Sequence, residues 1–233
     1  MISINNLTKK FKNKVILNNL NLFLENGKIL GLLGPNGSGK TTLLKILSNT
    51  SKVDSGSIII NNEKLSYKTN EFVAFLPDVP FADASNTIEQ SILEFKYFYK
   101  DFDENKANNL LKKLNLNKKA KIKTLSKGML EKLHLILILS RKAKLYILDE
   151  PIAGVDIVTR NEIMNLLTEN LESDACVIVT THLIHDIEQI FDKVCFLKNG
   201  QIDKIYDVEE VRSTKNKSIE ELYIEYFGDD NND

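Results

Sequence analysis

One stretch limits what this chain can become more than any other. Gly34–Thr42 reads Gly-Pro-Asn-Gly-Ser-Gly-Lys-Thr-Thr. It follows the apolar run Ile29-Leu30-Gly31-Leu32-Leu33 and precedes Leu43, Leu44, Ile46 and Leu47 at helical spacing. Strand, glycine loop and helix in that order form the setting that a phosphate-binding loop requires. Gly34, Gly37 and Gly39 permit a tight loop whose N–H groups turn inward as an anion nest. A helix starting near Lys40 adds unsatisfied N–H groups and the positive end of its dipole. Lys40 is placed to reach β- and γ-phosphate oxygens, and the Thr41 hydroxyl to ligate Mg²⁺. Pro35, Asn36, Ser38 and Thr42 complete the expected loop.

A second constellation supports the first. Leu145-Tyr146-Ile147-Leu148 predicts a buried strand, and it ends in adjacent acids, Asp149-Glu150. Two carboxylates at a strand end near a phosphate loop need a cation or a proton to coexist. Asp149 suits a ligand to Mg²⁺ through water, and Glu150 a general base for an attacking water. Cys176–Thr181 predicts another buried strand, closed by His182. His182 suits either a hydrogen bond to a γ-phosphate or an ordinary structural role. His134 and His185 fall in helical segments and read as structural.

Bulk properties narrow the class. At 233 residues the chain can bury the core of one α/β domain, or of one domain with a subdomain. A formal net charge of −1 lends no support to binding nucleic acid or an anionic surface. No run of 18 or more apolar residues appears, and the first residues lack a secretory pattern, so a cytosolic protein is expected. Cys176 and Cys195 lie in apolar runs and are expected to be buried and reduced.

Along the chain, Met1–Leu7 and Val15–Leu24 predict antiparallel strands joined by a basic turn of Lys9, Lys10, Lys12, Asn13 and Lys14. Phe11 sits in that turn, to stack on a purine or to pack beneath it. Residues 54–57 predict a turn, Ile58–Ile60 a strand, and Phe72–Leu76 a strand that delivers Asp78 to the nucleotide side. Thr87–Tyr99 and Glu104–Leu114 predict helices capped by Asn86 and Asp103; the first carries a stripe of Ile88, Ile92, Phe95 and Phe98. Lys118–Lys123 reads as a solvated basic linker. Ser126 is expected to cap a long apolar helix reaching about Arg141, and a further helix is expected from Thr159 to Glu172. Val194–Leu197 and Gln201–Ile205 flank Asn199-Gly200 as a hairpin. One tail helix is expected from Ser218 to about Gly228, followed by a frayed acidic end at 229–233.

In this order and spacing the residues resemble the ATP-binding subunit of ABC transporters over nearly the whole chain. Gly34–Thr41 is similar to that family's phosphate loop, Leu125–Met129 to its signature motif and Leu145–Glu150 to its Walker B strand with catalytic glutamate. Gly154–Asp156 is similar to its D-loop, His182 to its switch histidine and Phe11 to its adenine-stacking aromatic. Asp78 stands where the family usually has glutamine, and Lys127 and Met129 where glycine and glutamine are commoner. This pattern looks like a bacterial branch serving ABC-2-type exporters.

The resemblance implies an α/β fold, a P-loop NTPase core with a mostly parallel sheet and flanking helices. It implies one domain over 1–233: an antiparallel β part at 1–27 and 55–76, a core at 28–54 and 143–210, an inserted helical subdomain at 79–142, and a C-terminal helix and tail at 211–233. It implies a two-fold pair of ATP-binding subunits in which Ser126, Gly128 and Asp156 of one chain face the phosphate loop, Asp149, Glu150 and His182 of the other. ATP and Mg²⁺ are the implied cofactors, with Thr41, Asp78 and Asp149 on the metal. An integral membrane permease is the implied partner, which would place the subunit on the inner face of the cell membrane. Nucleic acid is not expected. The alternatives are a soluble ABC-type ATPase acting on ribosome or nucleic acid, and a non-catalytic regulatory subunit.

Overall fold

The structure is a computed structural model that describes residues 1–228; the expected acidic end at 229–233 lies outside the described residues. Two sheets organise it. The first is antiparallel, in the order β2-β1-β4-β5, built from β1 (Ile2–Phe11), β2 (Lys14–Leu24), β4 (Ser55–Ile60) and β5 (Glu63–Lys64). The second has six strands in the order β10-β9-β3-β8-β7-β6. It comprises β3 (Ile29–Leu33), β6 (Val73–Leu76), β7 (Leu145–Asp149), β8 (Cys176–Thr180), β9 (Lys193–Lys198) and β10 (Gln201–Asp207). Every pair in it is parallel except the β9–β10 hairpin.

The central strands β7 and β8 are buried at every position, and apolar up to their last residues, Asp149 and Thr180, because both faces are covered. Alternation then divides their side chains between two cores. Leu145, Ile147, Cys176 and Ile178 join the first, with Leu43, Leu44, Ile46 and Leu47 of α1 (Lys40–Leu47) and the antiparallel sheet. Tyr146, Leu148, Val177 and Val179 join the second, with α4 (Lys127–Leu139) and α5 (Ile157–Asn170). That second core continues into a helical lobe of α2 (Ile88–Phe98), α3 (Glu104–Lys113) and α4. Seven consecutive residues of α4, Leu133 to Leu139, are buried. The β3, β7 and β8 ends all open on one edge, where the loop, the two acids and His182 emerge.

Several local expectations need correction. β1 runs on through Lys9 and Lys10 to Phe11, so the basic turn shrinks to Lys12-Asn13. Ser55–Ser57 is already strand, paired to Asn5 and Thr8 of β1. β6 pairs parallel with β7 in the core sheet, so residues 73–76 leave the antiparallel part. Thr87, not Asn86, caps α2: its hydroxyl accepts from Gln90 N while Gln90 Oε1 accepts from Thr87 N. Phe98 leaves the expected stripe and is largely exposed. The 118–123 linker is pinned, because Ala120 and Lys118 carbonyls accept from Ile88 N and Glu89 N at the start of α2. The tail holds a second helix: α7 (Val208–Lys215) follows β10 directly, capped by Asp207, and precedes α8 (Ile219–Gly228). A short α6 (Ile184–Ile187) follows His182. Cys176 and Cys195 are buried free thiols, and burial pushes the Cys195 thiol up to about 12.

Candidate functional site

The loop, the acids and His182 meet in one cleft of about 420 Å³. Asn36, Gly37, Gly39, Lys40, Thr41 and Thr42 line it, as do Asp78, Asp149, Glu150 and His182, with Phe11, Lys14 and Ile16 at its far end. Gly39 sits at φ +111°, and a Cβ there would lie 2.9 Å from Leu17, so glycine alone lets the loop pass this close to β2. Lys40 is buried and folds back on the loop, its Nζ donating to the carbonyls of Gly34 (2.6 Å) and Pro35 (3.1 Å). Ser38 N donates to the Pro35 carbonyl, while Ser38 Oγ is buried without a hydrogen-bond partner. Burial lowers the Lys40 pKa, against the pull of Glu150 and Asp149.

The acid pair is held by backbone and by one hydroxyl. β7 pairs Asp149 with Thr180 of β8. Thr180 Oγ1 donates to Asp149 Oδ1 at 2.5 Å and accepts from Glu150 N at 3.2 Å. Glu150 takes a left-handed conformation, φ +52°, which ends the strand and costs about 1 kcal/mol or more in a residue with a Cβ. Its Oε2 accepts from His182 N at 3.2 Å, and its Oε1 lies 3.2 Å from His182 Nε2 without finding a well-aligned donor. Burial raises the Glu150 pKa, opposed chiefly by His182. Burial likewise raises Asp149; the Thr180 hydroxyl opposes it, and the Asp78 charge adds to it.

Asp149 Oδ2 is buried and accepts no hydrogen bond. An orphaned carboxylate oxygen beside the Thr41 hydroxyl fits a hard divalent cation. Among the described residues no group of three His, Cys, Asp or Glu side chains surrounds a point. The site therefore offers no all-protein cage; it suits Mg²⁺, which keeps waters and takes phosphate oxygens.

Phe11 does not pack beneath its turn. It is 52% exposed, lines the cleft and carries Lys9 Nζ 4.9 Å from its ring centroid. The other expected residues form a separate cluster. Ser126 caps α4, its Oγ accepting from Met129 N. Asp156 caps α5, accepting from Thr159 N at 3.0 Å and Thr159 Oγ1 at 2.8 Å. Those bonds hold its carboxyl below the usual range. Gly128 is the contact between them, since a Cβ there would lie 3.1 Å from Thr159 Oγ1. None of Ser126, Gly128 and Asp156 lines the cleft of their own chain. Thr180 and Ile16 were missed from sequence; the two threonines closing an apolar strand just before His182 were the only signal for the first.

Comparison with known proteins bears on the family and the fold. The family model described as ABC transporter matches residues 17–153. The chain is 31% identical over 216 residues to the ABC transporter ATP-binding protein YtrB of Bacillus subtilis (strain 168), covering 91% of this chain and 74% of that one. It is 29% identical to the lantibiotic transport ATP-binding protein SrtF of Streptococcus pyogenes, over 96% of each. A solved structure described as the dimeric structure of MJ0796, a bacterial ABC transporter cassette, superposes with a TM-score of 0.78 at 25% identity, covering 89% of this chain and 98% of that one.

Proposed function

The chain belongs to the ABC transporter family as an ATP-binding, ATP-hydrolysing subunit, and from that premise we propose that it works as one half of an ATP-clamped pair driving an exporter permease. One observation carries the pairing: the cleft gathers Lys40, Asp149, Glu150 and His182, while Ser126 and Gly128 stand on the same chain outside it. The N-terminus of α4 can add its N–H groups to the triphosphate only from a second chain. ATP bound by the closed pair alone then stabilises that pair by linkage.

In this reading the Gly34–Thr42 loop cradles the phosphates, and Lys40 leaves the Gly34 and Pro35 carbonyls to meet the β- and γ-oxygens. Phe11 stacks on the base. Thr41 and Asp149, with Asp78 nearby, hold Mg²⁺. When bound, the cation supplies charge neutralisation between the β- and γ-phosphates. Glu150 accepts the proton of the attacking water; burial raises its pKa, which makes it a stronger base than an ordinary carboxylate. His182, already hydrogen-bonded to Glu150, orients it and contacts the γ-phosphate.

No helix among the described residues is long and apolar enough to cross a membrane, and in this reading a permease supplies the spanning part. A groove of about 310 Å³ between the core sheet and the helical lobe, lined by Phe75, Pro77, Phe81, Phe95, Tyr99 and Arg141, fits a permease helix. Pro77 lines this groove and the next residue, Asp78, lines the cleft, and that adjacency would couple cleft to membrane. The relative SrtF is described as a lantibiotic transport protein; with the Lys-Gly-Met signature it supports an exporter of peptides or drugs. The test is size-exclusion chromatography of Glu150→Gln with Mg·ATP. A stable dimer is expected, and a monomer at saturating nucleotide removes the pairing.

A further inference from the structure

The reaction as described leaves Arg160 unused, although this side chain spans the two segments flanking Glu150. It sits in the first turn of α5, and its guanidinium forks. Nε donates to the Val155 carbonyl at 3.1 Å, inside the turn that follows the acids. Nη1 donates to Asp186 Oδ2 at 2.6 Å, on α6, the element that directly follows His182. Val155 is buried, and Arg160 and Asp186 side chains are only 25% and 35% exposed. Asp186 N in turn donates to the Leu183 carbonyl, one residue beyond His182.

The contacts form one continuous path. Gly128 abuts Thr159; Thr159 binds the Asp156 carboxylate; Arg160 ties the preceding carbonyl, that of Val155, to α6; and His182 at the head of α6 holds Glu150 through its backbone N–H. A planar fork with two fixed donors suits such a span, because each arm constrains the other, whereas an ammonium is a freely rotating point charge that fixes neither direction. From this geometry we infer that Arg160 is a positioning residue for hydrolysis: its paired bonds to Val155 O and Asp186 set His182, and through it Glu150, according to the state of the Gly154–Asp156 turn. The inference rests on Glu150 and His182 doing the work assigned to them above. It adds that the surface facing a second chain reports to the acid through a single side chain.

The test is steady-state hydrolysis by the full chain carrying Arg160→Gln, Asp186→Asn, both together, and Arg160→Lys. Each single change is expected to lower kcat about three- to thirtyfold with KM for Mg·ATP within about twofold, the range of coupling through a shared network. The double variant should fall no further than the worse single one, because both remove the same connection. Arg160→Lys should recover part of the loss. Nuclear magnetic resonance supplies a readout that plain destabilisation does not give: the His182 ring signal should shift in Arg160→Gln, while that of His134, stacked 4.4 Å from Phe81 in the lobe, stays in place. Losses that multiply in the double variant, unchanged kcat in both single variants, or an unmoved His182 signal overturn the inference. If Arg160→Gln does not fold, Asp186→Asn, at a partly exposed carboxylate, carries the same test alone. Absent hydrolysis in the unaltered chain overturns the mechanistic reading first and this inference with it.

Discussion

The cleft around Glu150 and the cap cluster around Asp156 hold acids only six residues apart, in opposite physical conditions. Asp149 is buried and Glu150 half-buried; each carries an orphaned oxygen and has a pKa raised by desolvation. Asp156 is fully engaged by Thr159, and its pKa is lowered by those bonds. The cleft has unmet polar demand that a charged ligand can satisfy; the cluster has none. Yet the cluster is flanked by Ile157 and Val158, which are 73% and 70% exposed. In the proposed pair the first region takes up the nucleotide and the second presents a finished surface to a neighbour.

The sharpest way to break this contrast is to remove the base. Glu150→Gln is expected to lower turnover by about 10²–10⁴-fold, as loss of a positioned base does, with Mg·ATP affinity retained by calorimetry. Normal turnover would make Glu150 another structural acid. Lys40→Ala comes next. Removing a buried charge-assisted donor is expected to weaken nucleotide binding about 10- to 100-fold, and unchanged affinity would mean the loop does not hold phosphate.

Those two variants probe what sequence already displayed. The loop, the acid pair and His182 were legible because short-range spacing encodes them: a glycine loop between apolar runs, and polar residues at the ends of buried strands. The cap cluster was legible as residues but not as a unit, because Gly128 and Thr159 meet only through the packing of α4 on α5. Thr180 was invisible because its role depends on strand register, which no local pattern states. α7 was missed because Val208–Lys215 has only two buried side chains, and its identity comes from the Asp207 cap and acidic first turn. The reach of β1 to Phe11 was lost to a lysine-rich composition that mimics a turn, though Lys9 is in fact buried.

Smaller effects sharpen the comparison from the other side. Ser126→Ala should lower stability of the isolated chain by about 1 kcal/mol through loss of an N-cap bond, seen in chemical denaturation. It should leave nucleotide affinity of the single chain intact; lost affinity there would place the α4 N-terminus inside its own cleft.

The smallest effect is a pH dependence. The folded pKa of Glu150 is raised, so the native state binds a proton more tightly than the unfolded chain does. Its contribution to stability is therefore present below the ordinary carboxylate value of 4.5 and lost as pH rises through the raised one. Glu150→Gln should accordingly raise the melting temperature at pH 7 and lose that advantage near pH 4. An advantage that grows on acidification would reverse the sign of this assignment.

The pairing of Asp149 with Thr180 carries a consequence for how such a chain can change over time. Strand neighbours alternate sides with every residue, so sliding β7 by one position along β8 would turn the carboxylate that Thr180 holds into the hydrophobic interior and strand the other acid in its place. Single-letter exchanges along β7 leave that alignment standing, whereas gaining or losing one residue between Leu145 and Asp149 erases it. The chemistry is thus written in reading frame as much as in spelling, and indels in this strand are far less survivable than substitutions.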